Sequence, residues 1–523
     1  MKRFYRFLGR VWVICLVGCA AEPKADENNL KATGPFESRW AQQHDQVWLG
    51  ADYWANPMED WRILDGRIET VRPAVNRNVH LLSRRLGDRD GDLELSVRLG
   101  AFKPGAGSGG FRIGIQSELA DPRSRLIHGR GGIDAGIGAD GDLFIGRTVG
   151  PKLKPGPEGV RLRLRGEPAA DGYLLMLTAH DREGRQLGGV FVDKVAPEKL
   201  VGNVALVNNF LKANVPGRKN NRAGKPRGRP GRFWFSHWRV SGSKFTAHPE
   251  DRFGPILFAQ HTLSRGVLKM TAQMPPLDNQ QPQRVALELK RDGRWAEAAQ
   301  ATIDPLARTA RFRLEAWNGR ISVPYRLVYE SVNRLGERKR HTYGGTIRRE
   351  PTDRDLKLAA FTGNTDQAFP NALLVSNVKV HDPDVLLFTG DQLYEQVGGY
   401  GIIREPVDRA TLNYLRKWYV CGWAFRDLMR DRPTLFLTDD HDVYQGNIWG
   451  ESGRDCGGIR GHARGGYAMP PKWVNMVQRT QTAHHPDPHD PTPIKRDIGV
   501  YYGDMLYGRV SFAILEDRKF KSG

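Results

Sequence analysis

Val385-Leu386-Leu387-Phe388-Thr389-Gly390-Asp391-Gln392-Leu393-Tyr394-Glu395 is an apolar run that stops at a glycine followed at once by a carboxylate. A short apolar run bounded in this way reads as a buried strand. The carboxylate at its exit is delivered to the end of a sheet, where open α/β folds place ligands. Tyr394 can turn a phenol oxygen toward the same point. The run Thr434-Leu435-Phe436-Leu437-Thr438 repeats the arrangement and ends in Asp439-Asp440-His441-Asp442. Taken singly, Gly-Asp after a strand is common turn chemistry, and Asp-Asp-His-Asp is also what a solvated loop carries. Their conjunction, two strand exits bearing hard oxygen ligands and an imidazole, points to a metal site, one suited to more than one ion.

Around these runs the pattern is strand, helix, strand. Leu356 to Phe361 predicts a strand ending at Thr362-Gly363-Asn364, and Ala410 to Arg430 a helix carrying Leu412, Leu415, Trp418, Tyr419 and Phe425. Alternation of this kind makes an α/β layered domain, expected over 353–523. Upstream the chain reads as all-β. Over 36–248, short runs such as Leu93–Leu99, Phe111–Ile115, Val160–Arg165 and Tyr173–Thr178 recur between Gly, Asp and Pro turns. Many short strands with turn signals predict an antiparallel sandwich. The stretch Trp234–Gly242 resembles the closing strand of concanavalin-like jelly rolls. That resemblance implies a polysaccharide as a candidate partner and draws attention to Trp48, Tyr53, Trp54 and Trp61, for most of which core packing is the better explanation. Residues 249–352 predict a second β unit of immunoglobulin or fibronectin type III size, with strands near 267–271, 285–290, 310–314 and 325–329.

A chain of 523 residues exceeds one hydrophobic core, which agrees with this three-part division. Its composition, 26% charged and 39% hydrophobic, is that of a globular protein. The formal net charge of +20 favours anionic partners without naming one. Much of it crowds the Pro/Gly-rich loop 216–232, with Arg218, Lys219, Arg222, Lys225, Arg227, Arg229 and Arg232, which reads as a solvated insertion before a binding patch. No dedicated nucleic-acid motif is present.

At the N-terminus Lys2, Arg3, Arg6 and Arg10 precede an apolar stretch, Val11 to Val17, too short to span a bilayer. It reads as a signal segment over 1–19. Leu16-Val17-Gly18-Cys19 resembles the bacterial lipobox, which implies that Cys19 is acylated and that 20–35 is a tether. Multiple acyl chains hold a protein on a membrane stably, so the expected location is the cell envelope, as an exported outer-membrane lipoprotein. Of the four cysteines, Cys421 and Cys456 remain, and in an oxidising setting a disulfide, free thiols or metal ligation are all open to them.

Gly390-Asp391-Gln392-Leu393-Tyr394-Glu395 with Asp439-Asp440-His441-Asp442 and Asn447 resembles the alkaline phosphatase D type of metallophosphoesterase. An immunoglobulin-like unit ahead of the catalytic domain matches that family too. The resemblance implies metal-dependent hydrolysis of phosphate esters. Asp391 would bridge two ions, Tyr394 would bind Fe(III), and Asp440 would bind a second ion, Ca, Mn or Mg. His441 would protonate the leaving group, while Asp439 and Asn447 would be supporting ligands. Two departures stand against the pattern. Thr362-Gly363-Asn364 replaces the family's Ser-Cys, so Asn364 or Asp366 is the candidate substitute there. No Gly-Asp-x-His segment occurs before Gly523, and His462, His484, His485 and His489 are weak replacements. The expectation is a C-terminally truncated piece that holds metal poorly and is inactive as it stands. The alternative is a surface lipoprotein that binds glycans through its sandwich beside a catalytically degenerate phosphatase-like domain.

Overall fold

The computed structural model of the chain describes residues 34–103, 106–154, 156, 158–209, 231–444 and 467–520. Cys19, Asn447, Cys456, His462 and nearly all of the basic loop lie outside them. The described chain is mostly β, with few helices.

The first unit is two stacked, eight-stranded antiparallel sheets. The first has the spatial order Gln186–Val195, Gly172–His180, Val160–Ala169, Leu93–Lys103, Arg232–Ser241, Arg67–Thr70 and Trp61–Leu64, with Phe36–Glu37 added on Arg232–Ser241. Period-two alternation explains it: Leu162 faces Val97 and Leu164 faces Leu95 across one ladder, all four buried, while Arg161 and Arg165 stay in solvent. Arg232–Ser241, read from the sequence as a closing strand, sits inside the sheet against Leu93–Lys103. Tyr53, Trp54 and Trp61 are buried, so these rings are packing groups and not an exposed carbohydrate platform.

The second unit has a three-stranded sheet, Phe258–Ser264, Val267–Gln273 and Thr309–Leu314. Its four-stranded partner is ordered Arg294–Thr302, Arg284–Arg291, Val323–Val332 and Arg338–Ile347. Seven antiparallel strands in two sheets is the immunoglobulin-like count.

The third unit holds a parallel sheet, Leu358–Phe361, Val385–Phe388 and Thr434–Phe436, with Val385–Phe388 in the middle. Parallel neighbours need crossovers, supplied by the helices Ala372–His381 and Val407–Met429. The register stacks Phe361 on Phe388 (4.6 Å between ring centroids) and Phe388 on Phe436 (4.5 Å). The longer helix starts at Val407, directly after Pro406, and not at the predicted Ala410. Its first turn, Val407-Asp408-Arg409, has exposed Val407 and Asp408 and an Arg409 paired with Asp60, so apolar spacing alone begins a turn late.

The units share cores. Val407–Met429 is buried on nearly every side because it lies between the others. Trp423 stacks on Phe253 (4.2 Å, 9°) and touches Trp54 (5.4 Å). Trp418 Nε1 donates to Gln273 Oε1 (3.0 Å), and the Tyr419 hydroxyl to the Met274 carbonyl (3.0 Å). The hairpin Tyr502–Tyr507 and Val510–Leu515 does not join the parallel sheet. It buries Met505, Tyr507 and Ile514 against the immunoglobulin-like core. Among the described residues no helix is long and apolar enough to cross a membrane.

Candidate metal centre

Two strand exits build the site. After Phe388 the chain turns through Gly390 at φ +111° and Asp391 at φ +51°. A left-handed, non-glycine residue costs on the order of 1–3 kcal/mol and is held only where its surroundings over-determine it. Here they do. The Gly390 carbonyl accepts from Gly363 N (3.3 Å), and the Asp391 carbonyl accepts from Asn364 N (2.9 Å). Gly390 must lack a side chain, since a Cβ there would lie 2.6 Å from Asp439 Cβ, so the two exit loops are in van der Waals contact.

Asp442 locks the loops together. It is fully buried, its Oδ1 accepts from Gln392 N (3.0 Å) and its Oδ2 from Asp439 N (2.9 Å). Burial pushes its pKa well above the usual carboxylate range. Asp442 stands in the quoted motif, but nothing in the sequence separates this tie from a ligand role.

Asp391, Asp440 and His441 are thereby brought together, each offering a ligand atom within 4.8 Å of the others. Asp440 is 2% exposed. Its Oδ2 and Asp391 Oδ1 are buried and have no hydrogen-bond partner among the described residues. Burial raises the Asp391 pKa, with the His441 charge opposing. The Tyr394 phenol is raised, first by burial and then by the Asp391 carboxylate. Its ring lies 4.6 Å from the imidazole of His441. His441 Nδ1 meets Glu395 Oε2 at 2.7 Å, and this hydrogen bond is the main reason the imidazole is raised to about 9. Holding Nδ1 on a carboxylate leaves Nε2 free of Glu395 and fixes the ring, as outer-shell carboxylates do for ligating histidines.

Two further residues act here without having drawn notice in the sequence. Glu395, the residue after Tyr394, orients His441. Arg518 places Nε 2.8 Å from Asp439 Oδ1 and Nη2 3.3 Å from Asp440 Oδ1. Asp439 is thus engaged by a guanidinium and by Asp440 N (2.8 Å). Asn364 directs its amide to Cys421 Sγ at 3.9 Å. Cys421 is buried and free, its thiol pushed above the normal range by burial.

His484 and His485 stand apart from the cluster. Both are fully buried. His484 Nε2 bonds the Thr434 carbonyl (2.8 Å) and His485 Nε2 accepts from Phe436 N (3.0 Å), so they satisfy the outer edge of the Thr434–Phe436 strand. A second grouping, His248, Glu250 and Asp251, is closed on itself. His248 bonds Glu250 (3.1 Å) and Thr246 (2.8 Å), and Asp251 pairs with Arg85.

No family model matches the chain, and no curated protein matches it. Solved lectin-like sandwiches do. Lectin II from Ulex europaeus is 9% identical, covering 40% of this chain and 99% of that one, with a TM-score of 0.27. A Lotus tetragonolobus seed lectin is 10% identical, covering 41% and 99%, with a TM-score of 0.26. The Emp46p carbohydrate recognition domain, in metal-free form, is 14% identical, covering 36% and 88%, with a TM-score of 0.22. These likenesses run alongside the N-terminal sandwich, and at such scores they carry no weight for function.

Proposed function

We propose that the third unit is a metal-dependent phosphoester hydrolase centre, with Asp391, Asp440 and Tyr394 as ligands and His441 beside them as the proton donor. One observation carries it: two buried carboxylate oxygens, Asp391 Oδ1 and Asp440 Oδ2, have no donor among the described residues, on side chains whose ligand atoms come within 4.8 Å of each other and of His441. Buried charge needs a partner, and a cation on those oxygens would supply one. The set of carboxylate and phenol donors suits Mn, Mg, Ca or Fe(III) over soft ions. Bound cations would neutralise phosphoryl charge and lower the pKa of water. The chain's own part is positional and protonic. Asp442 and Gly390 hold the two strand exits at contact distance. Glu395 keeps a charged imidazole at the mouth of the site, ready to donate a proton to a departing alkoxide. Export and anchoring through Cys19 belong to the same reading, on the strength of the N-terminal sequence.

The test is metal uptake by the 523-residue chain, with hydrolysis of nitrophenyl phosphate and bis-nitrophenyl phosphate in the presence and absence of chelator. Weak but saturable Mn²⁺ uptake, lost in Asp391→Asn and Asp440→Asn, is expected, with little or no hydrolysis by this stretch of chain. Uptake that is absent, or unchanged in both variants, refutes the assignment.

A second reading, the glycan-binding lipoprotein with a degenerate phosphatase-like unit, is favoured by one contact. Arg518 already sets a cation against Asp439 and Asp440, and a guanidinium in that place can stand in for an ion that is no longer bound.

A further inference from the structure

Arg518 reaches the metal centre from a turn that cannot carry it away. Its neighbour Lys519 is fully buried, and Lys519 Nζ donates to Glu516 Oε2 (2.6 Å), Gln478 Oε1 (2.7 Å) and the Gly499 carbonyl (3.2 Å). Lys519 N donates to Glu516 Oε1 (3.2 Å), Glu516 N to the Tyr501 carbonyl (3.1 Å), and the Tyr467 hydroxyl to the Lys519 carbonyl. Breaking one side of a buried, hydrogen-bonded ion pair is strongly unfavourable, so the backbone around Arg518 is pinned. The guanidinium itself is held by charge more than by hydrogen bonds. Nε lies 2.8 Å from Asp439 Oδ1 and Nη2 3.3 Å from Asp440 Oδ1. Yet Nε is buried and makes no hydrogen bond among the described residues, where native proteins rarely leave such a donor unpaired. Asp440 turns Oδ1 to Arg518, and its Oδ2 stays unpaired beside Asp391.

We propose that Arg518 is the residue that grips the phosphoryl group of the substrate. The inference rests on the metal-centre reading. When Asp440 is neutralised by a bound cation, Arg518 loses counter-charge but, with its backbone pinned, keeps its place. An anion in contact with both the cation and the guanidinium restores the balance, and a phosphoryl group has oxygens enough for both. The planar fork of an arginine matches two phosphate oxygens at once, which a lysine ammonium does not. The other cations are committed elsewhere. His441 gives Nδ1 to Glu395, Lys417 Nζ is bound to Asn413 Oδ1 (2.8 Å) and the Tyr444 hydroxyl (2.9 Å), and Arg404 Nη2 donates to the Tyr444 carbonyl (3.2 Å). Among the described residues Arg518 is the cationic side chain paired with the aspartates of the second strand exit.

The experiment is a calorimetric titration of inorganic phosphate into the intact chain at saturating Mn²⁺, with Mn²⁺ uptake measured on the same samples. Saturable phosphate binding that requires Mn²⁺ is expected of the wild type. Arg518→Ala should take up Mn²⁺ at least as tightly as the wild type, which also shows that its site is folded, and should bind phosphate at least tenfold more weakly. Arg518→Lys, which keeps the charge and loses the fork, should fall between the two. Phosphate affinity unchanged in Arg518→Ala, or phosphate bound equally well without Mn²⁺, would overturn the proposal and leave the metal centre standing. Loss of Mn²⁺ uptake in Arg518→Ala would overturn it too, by making the arginine a prop for the fold. Absence of Mn²⁺ uptake by the wild type would sink the metal centre itself, and this proposal with it.

Discussion

Removing the Glu59 carboxylate should loosen a site that lies in a different unit of the molecule. Glu59 belongs to the sandwich, yet its side chain is wholly buried against the helix Val407–Met429. It accepts from Asn413 Nδ2 at 2.6 Å and from Arg416 Nε at 3.3 Å. Arg416 is equally buried and reaches on to the Val397 carbonyl (3.1 Å), whose own N–H is bonded to the Tyr394 carbonyl (3.1 Å). The sandwich is thus two hydrogen bonds from the loop that carries Asp391, Tyr394 and Glu395. In Glu59→Ala the guanidinium stays buried with one carbonyl for company, because its Nη2 already lacks a partner. Breaking a buried pair on one side costs about 3–5 kcal/mol, a large part of the roughly 5–15 kcal/mol that holds a domain folded. The assay is urea denaturation followed by tryptophan emission, since Trp418 and Trp423 report on this helix. At a slope of about 2–3 kcal/mol/M the midpoint should fall by about 1–2.5 M. The double variant Glu59→Leu/Arg416→Met, which removes both charges, should recover most of the loss. A single-variant loss below about 1 kcal/mol, or a double variant no better than the single, refutes the reasoning.

Gly390→Ala should fold poorly and lose Mn²⁺ uptake, because its Cβ would collide with Asp439 at a left-handed backbone position; a normal melt would remove that contact from the argument. Asp442→Ala strands two buried N–H groups at about 1–3 kcal/mol each, so a destabilisation of about 2–6 kcal/mol is expected by denaturant titration, and a loss under 1 kcal/mol contradicts the locking role. Arg518→Ala should tighten Mn²⁺ binding several-fold by withdrawing a competing cation, whereas unchanged affinity would show that the guanidinium does not occupy the ion's place. His261 and His484 are buried neutral, each pushed down to about 3 by burial. The unfolded chain therefore binds protons between about pH 6.5 and 3 that the folded chain refuses, and stability should drop as pH falls through that window, by at most about 1.4 kcal/mol per pH unit for each imidazole. His261→Leu should flatten that slope, and an identical slope would show the burial to be incomplete.

The strands of both β units and the order of the third were legible because period-two alternation and strand-ending glycines are local signals. Val385–Phe388 and Thr434–Phe436 fall where the apolar runs place them. What local pattern could not reveal is sharing between units. Trp54 and Trp61 are core, as the sequence reading favoured, but their partners in other units could not be read from it, and His484 and His485 look like loop histidines and serve a strand edge. Glu59 is a carboxylate in a short turn until the helix that buries it is known.

The site was half legible for a related reason. Asp391, Asp440 and His441 announce themselves by lying at strand exits, but four adjacent polar residues, Asp439 to Asp442, give no sign of which face inward. The fold decides it through φ at Asp391 and contact at Gly390. These turn Asp440 in, leave Asp439 to Arg518, and bury Asp442 beneath both loops. A strained aspartate beside unpaired buried oxygens is costly for folding alone. That cost is the physical ground for reading the place as built for a cation and not merely as a turn.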